Sequence, residues 1–271
     1  MSKDRGVVKR AVITPDKHVP LHDVLATSVV RQAIEIIKPD IYIDLGDLGE
    51  WGSVSHWQWK RKKKPPVEYI IPKLEEEIES VNEFLDKIDS SLDKAGCKKR
   101  HICAGNHDEW LDHFVQEYPY LAQYGFKKAI KADDRGYIYH KAGEYLKIGK
   151  MFFYHGHHFG GQYHASNHLR KLGCNIMYGH HHNLQQDSVT HMDGPKSAWS
   201  MGCLKDMSSK KNKWLGGRQH KWAHAFGVID FFARGHFTVH VVQIIDGKAS
   251  LWGELIKAVS YTHLTLPTNR E

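Results

Sequence analysis

A chain of 271 residues, 41% hydrophobic and 25% charged, has the composition of an ordinary globular protein and is long enough to bury a sizeable core. No run approaches the roughly 18 apolar residues that a membrane span needs, and the apolar stretch after the polar first ten residues is too short for a signal segment, so membrane and secretory classes are set aside and a cytoplasmic protein is expected. Lys and Arg outnumber Asp and Glu by 38 to 31, and the resulting +7 favours anionic partners.

Two residue types qualify this picture. The 21 histidines are the unusual feature and point to metal chemistry. The four cysteines (Cys97, Cys103, Cys174 and Cys203) form no C-x-x-C pair and read as buried, reduced thiols.

Taken in order, residues 6–14 form a plausible first strand that ends at Thr14-Pro15-Asp16-Lys17-His18. Apolar residues at Leu25, Val29, Ala33, Ile36 and Ile37 predict a helix over 21–38, stopped by Pro39. Residues 40–45 read as a second buried strand ending at Gly46-Asp47, so a parallel βαβ pair is expected. Residues 50–67 change character: Trp51, Trp57 and Trp59 precede the cationic run Lys60-Arg61-Lys62-Lys63-Lys64. A long amphipathic helix is predicted over 72–92, with Glu75-Glu76-Glu77 in its first turns, where the helix dipole favours negative charge.

A third strand leads into Gly105-Asn106-His107-Asp108, and a further helix is expected from Asp108. Residues 137–140 and 145–148 read as short strands. Residues 151–154 form a strand ending at His155-Gly156-His157-His158. A short helix over 163–172 and a strand over 174–178 follow, and the latter ends at Gly179-His180-His181-His182. Later strands are expected over 188–192, 225–232 and 237–245. Residues 259–271 break the pattern and resemble translated sequencing-adapter read-through; they are set apart as a non-native tail, leaving one domain over 1–258 with the insertion at 50–67.

Five strand ends thus carry Asp16-x-His18, Gly46-Asp47, Gly105-Asn106-His107-Asp108, His155-Gly156-His157 and Gly179-His180-x-His182. Each motif alone is weak, since polar turn residues commonly cap strands. In order and residue type the set resembles the calcineurin-like metallophosphoesterase superfamily. That resemblance implies an α/β fold of two mixed β-sheets packed as a sandwich between helices, a four-layer αββα architecture. It also implies two divalent metal ions: Asp16, His18 and His182 on the first, Asn106, His155 and His180 on the second, and Asp47 bridging. His157, His158 and His181 are the alternatives or bystanders. In the resemblance His107 is a catalytic residue facing the scissile phosphate, and Asp108 is expected to orient its imidazole. Glu50 stands where the family often has an acidic residue three positions after the bridging aspartate, and Lys17 is expected to point away from the metals.

Nitrogen and oxygen donors without thiolate suit manganese first, with iron and zinc as alternatives. The implied activity is hydrolysis of a phosphoester by a water that the metal pair activates. Trp51, Trp57 and Trp59 are candidates to stack bases, while Lys60 and Arg61 with the lysines after them neutralise backbone phosphates. A phosphodiesterase acting on DNA, RNA or nucleotides is therefore the first reading. A phosphomonoesterase or phosphoprotein phosphatase is the second. A nucleic-acid-binding protein with an inactive metal site belongs to a different class. The bland alternative for the insertion is a solvated cationic loop whose tryptophans pack on the protein.

Overall fold

The computed structural model describes residues 9–60 and 62–258. Residues 259–271, set apart above as a tail, lie outside the described residues, as do Arg61 and the first residues of the expected first strand.

The strands are β1 (Lys9–Thr14), β2 (Ile41–Asp44), β3 (Lys99–Cys103), β4 (Tyr137–His140), β5 (Leu146–Ile148), β6 (Met151–Tyr154), β7 (Asn175–Tyr178), β8 (Leu184–His191), β9 (Gly194–Met201), β10 (His224–Phe232), β11 (His236–Ile244), β12 (Lys248–Leu251) and β13 (Glu254–Lys257). The helices are α1 (Val24–Ile37), α2 (His56–Trp59), α3 (Val67–Ala95), α4 (Asn106–Glu117), α5 (Phe126–Ala129) and α6 (His164–Leu172). Besides a β12-β13 hairpin there are two larger sheets: one runs β11-β10-β1-β2-β3-β4, and the other runs β5-β6-β7-β9-β8. Both are mixed. β1 to β4 pair in parallel with β10 and β11 antiparallel, and β6, β7 and β9 pair in parallel between antiparallel β5 and β8.

Two-residue alternation along the central strands builds the layers. Ala11 and Ile13, Ile41 and Ile43, Met151 and Phe153, and Met177 share one core between the sheets. Val12 and Tyr42 on the opposite face join the core beneath the α1, α3 and α4 side chains. Phe152, Tyr154, Ile176 and Tyr178 pack against Ala165 and Leu169 of α6. The result is helices, sheet, sheet, helix, the α/β sandwich expected from the motifs. Strands buried on both faces need near-continuous apolar sequence, which explains why the core strands were the most legible ones.

Several boundaries differ from expectation, and α1 begins at Val24 rather than 21, after its N-cap Asp23. α3 begins at Val67 rather than 72 and runs to Ala95, with Pro72 inside it. Pro65-Pro66 end the preceding loop, and buried Ile70 and Leu74 extend the apolar stripe a turn upstream, outweighing the proline near the helix start. α4 starts at Asn106, two residues before the expected Asp108, so Asn106 and His107 stand on its first turn. β8 begins at Leu184, and its partner β9 was not foreseen. β8 is a largely exposed polar edge strand with no apolar alternation to reveal it.

Below the sheet edge lies a buried ion pair. Lys17 Nζ sits 2.5 Å from Asp44 Oδ1 with both side chains 1% exposed, and it also donates to the Thr14 carbonyl at 2.9 Å. Lys17 therefore does turn away from the Asp16 and His18 side chains, into the protein. Removing one partner strands the other charge in a low-dielectric interior. Lys17→Met is expected to lower unfolding stability by about 3–5 kcal/mol in urea titration, with Lys17→Met/Asp44→Asn recovering much of the loss. Equal destabilisation by the single and double variants would show that the pair is not what holds this edge.

Candidate metal centre

The parallel strands of both sheets end at one edge, and the polar motifs occupy the loops that leave it. Asp16 and His18 follow β1, Asp47 follows β2 and Asn106 follows β3, while His155 follows β6 and His180 and His182 follow β7. The loops are held in backbone conformations that side-chain-bearing residues seldom adopt: φ is 31° at Asp16, 52° at His18, 47° at Asp47, 67° at His180 and 59° at His182. Left-handed backbone clusters where surrounding structure fixes a functional geometry. Two glycines allow the close approach. A Cβ at Gly105 would collide with the Asp47 carboxylate and backbone nitrogen, and one at Gly179 would collide with the Asp16 carboxylate.

The loops bring together side chains far apart in sequence. Asp16, His18, Asp47 and His182 each offer a ligand atom within 4.8 Å of the others, as do Asp47, His155 and His180. His18 Nε2 lies 3.0 Å from His182 Nε2 and 3.6 Å from Asp47 Oδ2, and His182 Nε2 lies 3.5 Å from Asp16 Oδ1. In the second group, His155 Nε2 is 3.2 Å from Asp47 Oδ2, 3.0 Å from Asn106 Oδ1 and 3.2 Å from His180 Nδ1. Asp47 belongs to both groups. All seven residues expected at the metals converge; His18, Glu50 and His107 form a third potential group, and His157, His158 and His181 are outside all three.

The donor chemistry fits a cation. His155 donates through Nδ1 to the Leu45 carbonyl at 2.9 Å, so a neutral ring would set its Nε2 lone pair against the Asp47 and Asn106 oxygens. Only positive charge between these atoms relieves that contact. Burial works against charge on His155, but the neighbouring Asp47 carboxylate prevails and raises its pKa to about 9. Burial, with Lys205 nearby, lowers His18 to about 3, and burial, with His155 nearby, lowers His180 to about 3. Those two rings are neutral and ready to ligate. The set is nitrogen and oxygen only, which suits a divalent ion of borderline or hard character.

Supporting bonds fix the ligands. His18 Nδ1 donates to Glu50 Oε2 at 2.8 Å, and the same oxygen accepts from Lys205 Nζ at 2.7 Å. A carboxylate on the far nitrogen is the usual device for fixing the tautomer of a metal-binding histidine. Glu50 thus has the supporting place considered for it. Buried Lys205 was not foreseen, because nothing in its local sequence signals a partner 155 positions away.

His107 stands at the rim. Its backbone N–H donates to Asp47 Oδ1 at 2.9 Å, and its Nδ1–H donates to the Glu50 carbonyl at 3.0 Å. Nε2 is the ring nitrogen left for the cleft that His107 lines.

Asp108 does not orient the His107 imidazole. Its buried carboxylate accepts from the backbone N–H groups of Leu48 (3.2 Å), Gly49 (3.4 Å) and Gly105 (2.9 Å), and from the Trp51 indole at 2.9 Å. As the third residue of α4 it turns back over the helix N-terminus, where unpaired N–H groups need acceptors. Its role is to hold the loop that carries Asp47.

The tryptophans also sort differently from expectation. Trp51 is 0% exposed and spends its indole N–H on Asp108, so it stacks no base. Trp59 lines a separate groove with Val54, His113 and Phe114. Trp57 does line the metal cleft, with exposed Lys60 placing its Nζ 4.7 Å above the ring; Arg61 lies outside the described residues. The cleft, of about 810 Å³, is also lined by Trp110, Trp214 and Trp222. The last two belong to the 214–222 loop, which thus forms part of the cleft wall. Trp110 could have been found from helical spacing, three residues after His107 on one face.

Because His155 is protonated near neutrality and a metal must displace that proton, divalent-ion affinity is expected to rise about tenfold per pH unit between pH 7 and its pKa near 9, then level off. Isothermal titration with Mn in buffers of different ionisation enthalpy reads the released proton directly. A pH-independent affinity with no proton release would contradict this charge assignment.

No family model matches the chain. It is 26% identical over 259 residues to the Gene 54 protein of Mycobacterium phage L5, which covers 91% of this chain and 98% of that protein. Among solved structures, a Vps29 double mutant from Entamoeba histolytica covers 89% of this chain and 96% of its own, with 15% identity and a TM-score of 0.49. YfcE, a phosphoesterase from E. coli, covers 85% of this chain and 98% of its own, with 14% identity and a TM-score of 0.37. Its own sheet order, and the meeting of the five motifs at one sheet edge, are the arrangement expected from the resemblance to the calcineurin-like metallophosphoesterase superfamily.

Proposed function

We propose that this protein is a metal-dependent phosphoester hydrolase, with a phosphodiester of a nucleic acid or nucleotide as substrate. The observation that carries the reading is the pairing, in one cleft, of a cation-demanding Asp/His/Asn cluster with a rim histidine, His107, that lies outside both Asp47-containing groups and meets only His18 and Glu50 in a third.

Asp16, His18 and His182 would hold one divalent ion and Asn106, His155 and His180 a second, with Asp47 shared; manganese is the first choice, then iron or zinc. When bound, such a pair supplies a water nucleophilic near neutral pH and positive charge for the phosphoryl oxygens. The chain's own groups do the rest. Glu50 holds His18 in its ligating tautomer, and Asp108 fixes the Asp47 loop. His107, anchored through Nδ1 to the Glu50 carbonyl, presents Nε2 to the phosphate, where a protonated ring stabilises developing charge or protonates the leaving oxygen. The aromatic walls support a diester: a monoester would leave them unused, whereas a diester extends beyond the phosphate on both sides. The free cysteines Cys97, Cys103, Cys174 and Cys203 suit a reduced, cytoplasmic setting.

With Mn, bis-p-nitrophenyl phosphate is expected to be hydrolysed in preference to p-nitrophenyl phosphate, and Asp47→Asn to abolish turnover of both. A preference for the monoester would overturn the diester assignment in favour of a phosphatase. His107→Asn is expected to bind Mn as the wild type does while kcat falls about 100-fold. Loss of metal with that substitution would make His107 a ligand and remove it from the chemistry.

A further inference from the structure

The tryptophans at the cleft are not scattered. Trp57 contacts His56 with ring centroids 4.6 Å apart, His56 contacts Trp110 at 5.8 Å, and Trp110 contacts His107 at 4.0 Å. His107 contacts His18 at 4.6 Å, His18 contacts His182 at 4.9 Å, His182 contacts Trp222 at 4.7 Å, and Trp222 contacts Trp214 at 6.0 Å. One continuous arc of rings thus passes through the metal-facing histidines at its middle and ends in a tryptophan on each side.

Its ends are wet. Trp57 is 60% exposed and Trp214 62%, so neither is explained as core. Large exposed aromatics on both lips of one cleft mark a surface kept for a partner. The segments bearing them are cationic. Residues 51–64 contain Lys60, Arg61, Lys62, Lys63 and Lys64 with no acid, and residues 205–224 contain Lys205, Lys210, Lys211, Lys213, Arg218 and Lys221 against Asp206 alone. Within the cleft lining the only carboxylates are Asp47 and Glu50, both engaged at the metal centre. Exposed aromatic faces at both lips of the cleft, carried on segments of net positive charge, are what an unpaired strand requires, although Lys205 is bonded to Glu50 and Lys64 to Glu117. Bases stack on rings while lysines neutralise the backbone.

We infer that the arc is a two-sided base clamp that takes single-stranded nucleic acid, with the scissile phosphate over His18, His107 and His182 and the flanking bases on Trp57/Trp110 and Trp222/Trp214. The inference rests on the diesterase reading above and narrows its substrate class. A duplex offers no free base faces to these rings, so it is excluded until a strand frays or a base leaves the stack. Trp57 and Trp214 are specificity residues of this clamp.

The test uses the full chain with Mn and compares a dT12 oligonucleotide, the same length of blunt duplex, and bis-p-nitrophenyl phosphate. The clamp predicts dT12 cleavage more than tenfold faster than duplex at equal subsaturating concentration. It also predicts that the ratio of kcat/KM for dT12 to that for bis-p-nitrophenyl phosphate falls about tenfold in Trp57→Ala and in Trp214→Ala, chiefly through KM, with Trp57→Phe restoring most of it. Equal cleavage of duplex and single strand, or an unchanged ratio in both variants, overturns the clamp while hydrolysis of the small diester leaves the diesterase reading standing. If the wild type hydrolyses nothing, the diesterase reading fails and quenching of tryptophan fluorescence by dT12 decides the clamp. Quenching lost in Trp57→Ala/Trp214→Ala upholds it, and quenching retained in that double variant, or absent in the wild type, overturns it.

Discussion

A buried negative charge at Asp47 is the constraint around which this structure is arranged. The carboxylate is 2% exposed, and burial alone would neutralise it by protonation, yet His155 beside it holds it well below the usual carboxylate range. Its two oxygens face opposite duties: Oδ1 accepts the His107 backbone N–H, and Oδ2 faces His155 and His18. The loop that presents it is clamped from beneath by Asp108. Positive charge must reside between these groups, and the fold offers only a proton on His155 or a cation in the same place.

That requirement explains the strain around it. Five of the side chains at the centre sit on left-handed backbone, and two glycines nearby leave no room for a methyl group. Such geometry persists because two rigid sheets hold the loop ends. The inter-sheet core of Ile13, Ile43, Phe153 and Met177 lies directly behind the strands that carry the ligands, so packing and ligand placement are one problem. The cationic, tryptophan-bearing loops stand outside this frame. They are tied to it by Trp51 on Asp108 and Lys205 on Glu50, while Trp57 and Trp214 stand exposed at the lips of the cleft.

The seven converging side chains were legible in the sequence because each motif is local: an apolar run ends, and a polar turn begins. Partners distant in sequence were not. Asp108 stands next to His107 in the chain and so invited the role of its orienting group, whereas its true partners lie in the loop after β2. Trp51 carried the same base-stacking signal as Trp57, and only the position of Asp108, 57 residues away, decides that one is core and the other is exposed. Trp222 beside His182 and Lys205 beside Glu50 are likewise products of tertiary structure. Only the second half of β8 was anticipated, within the strand expected over 188–192; its first half escaped because the strand buries little and carries no hydrophobic pattern, and β9 was missed altogether.

The most direct test of the centre itself is an anomalous difference map from crystals soaked in Mn, with data collected on either side of the manganese edge. Two peaks are predicted, one among Asp16, His18 and His182 and one among Asn106, His155 and His180, with Asp47 touching both. A single peak, or manganese bound elsewhere with these side chains bonded only to each other, would contradict a two-metal centre and the hydrolysis proposed to depend on it.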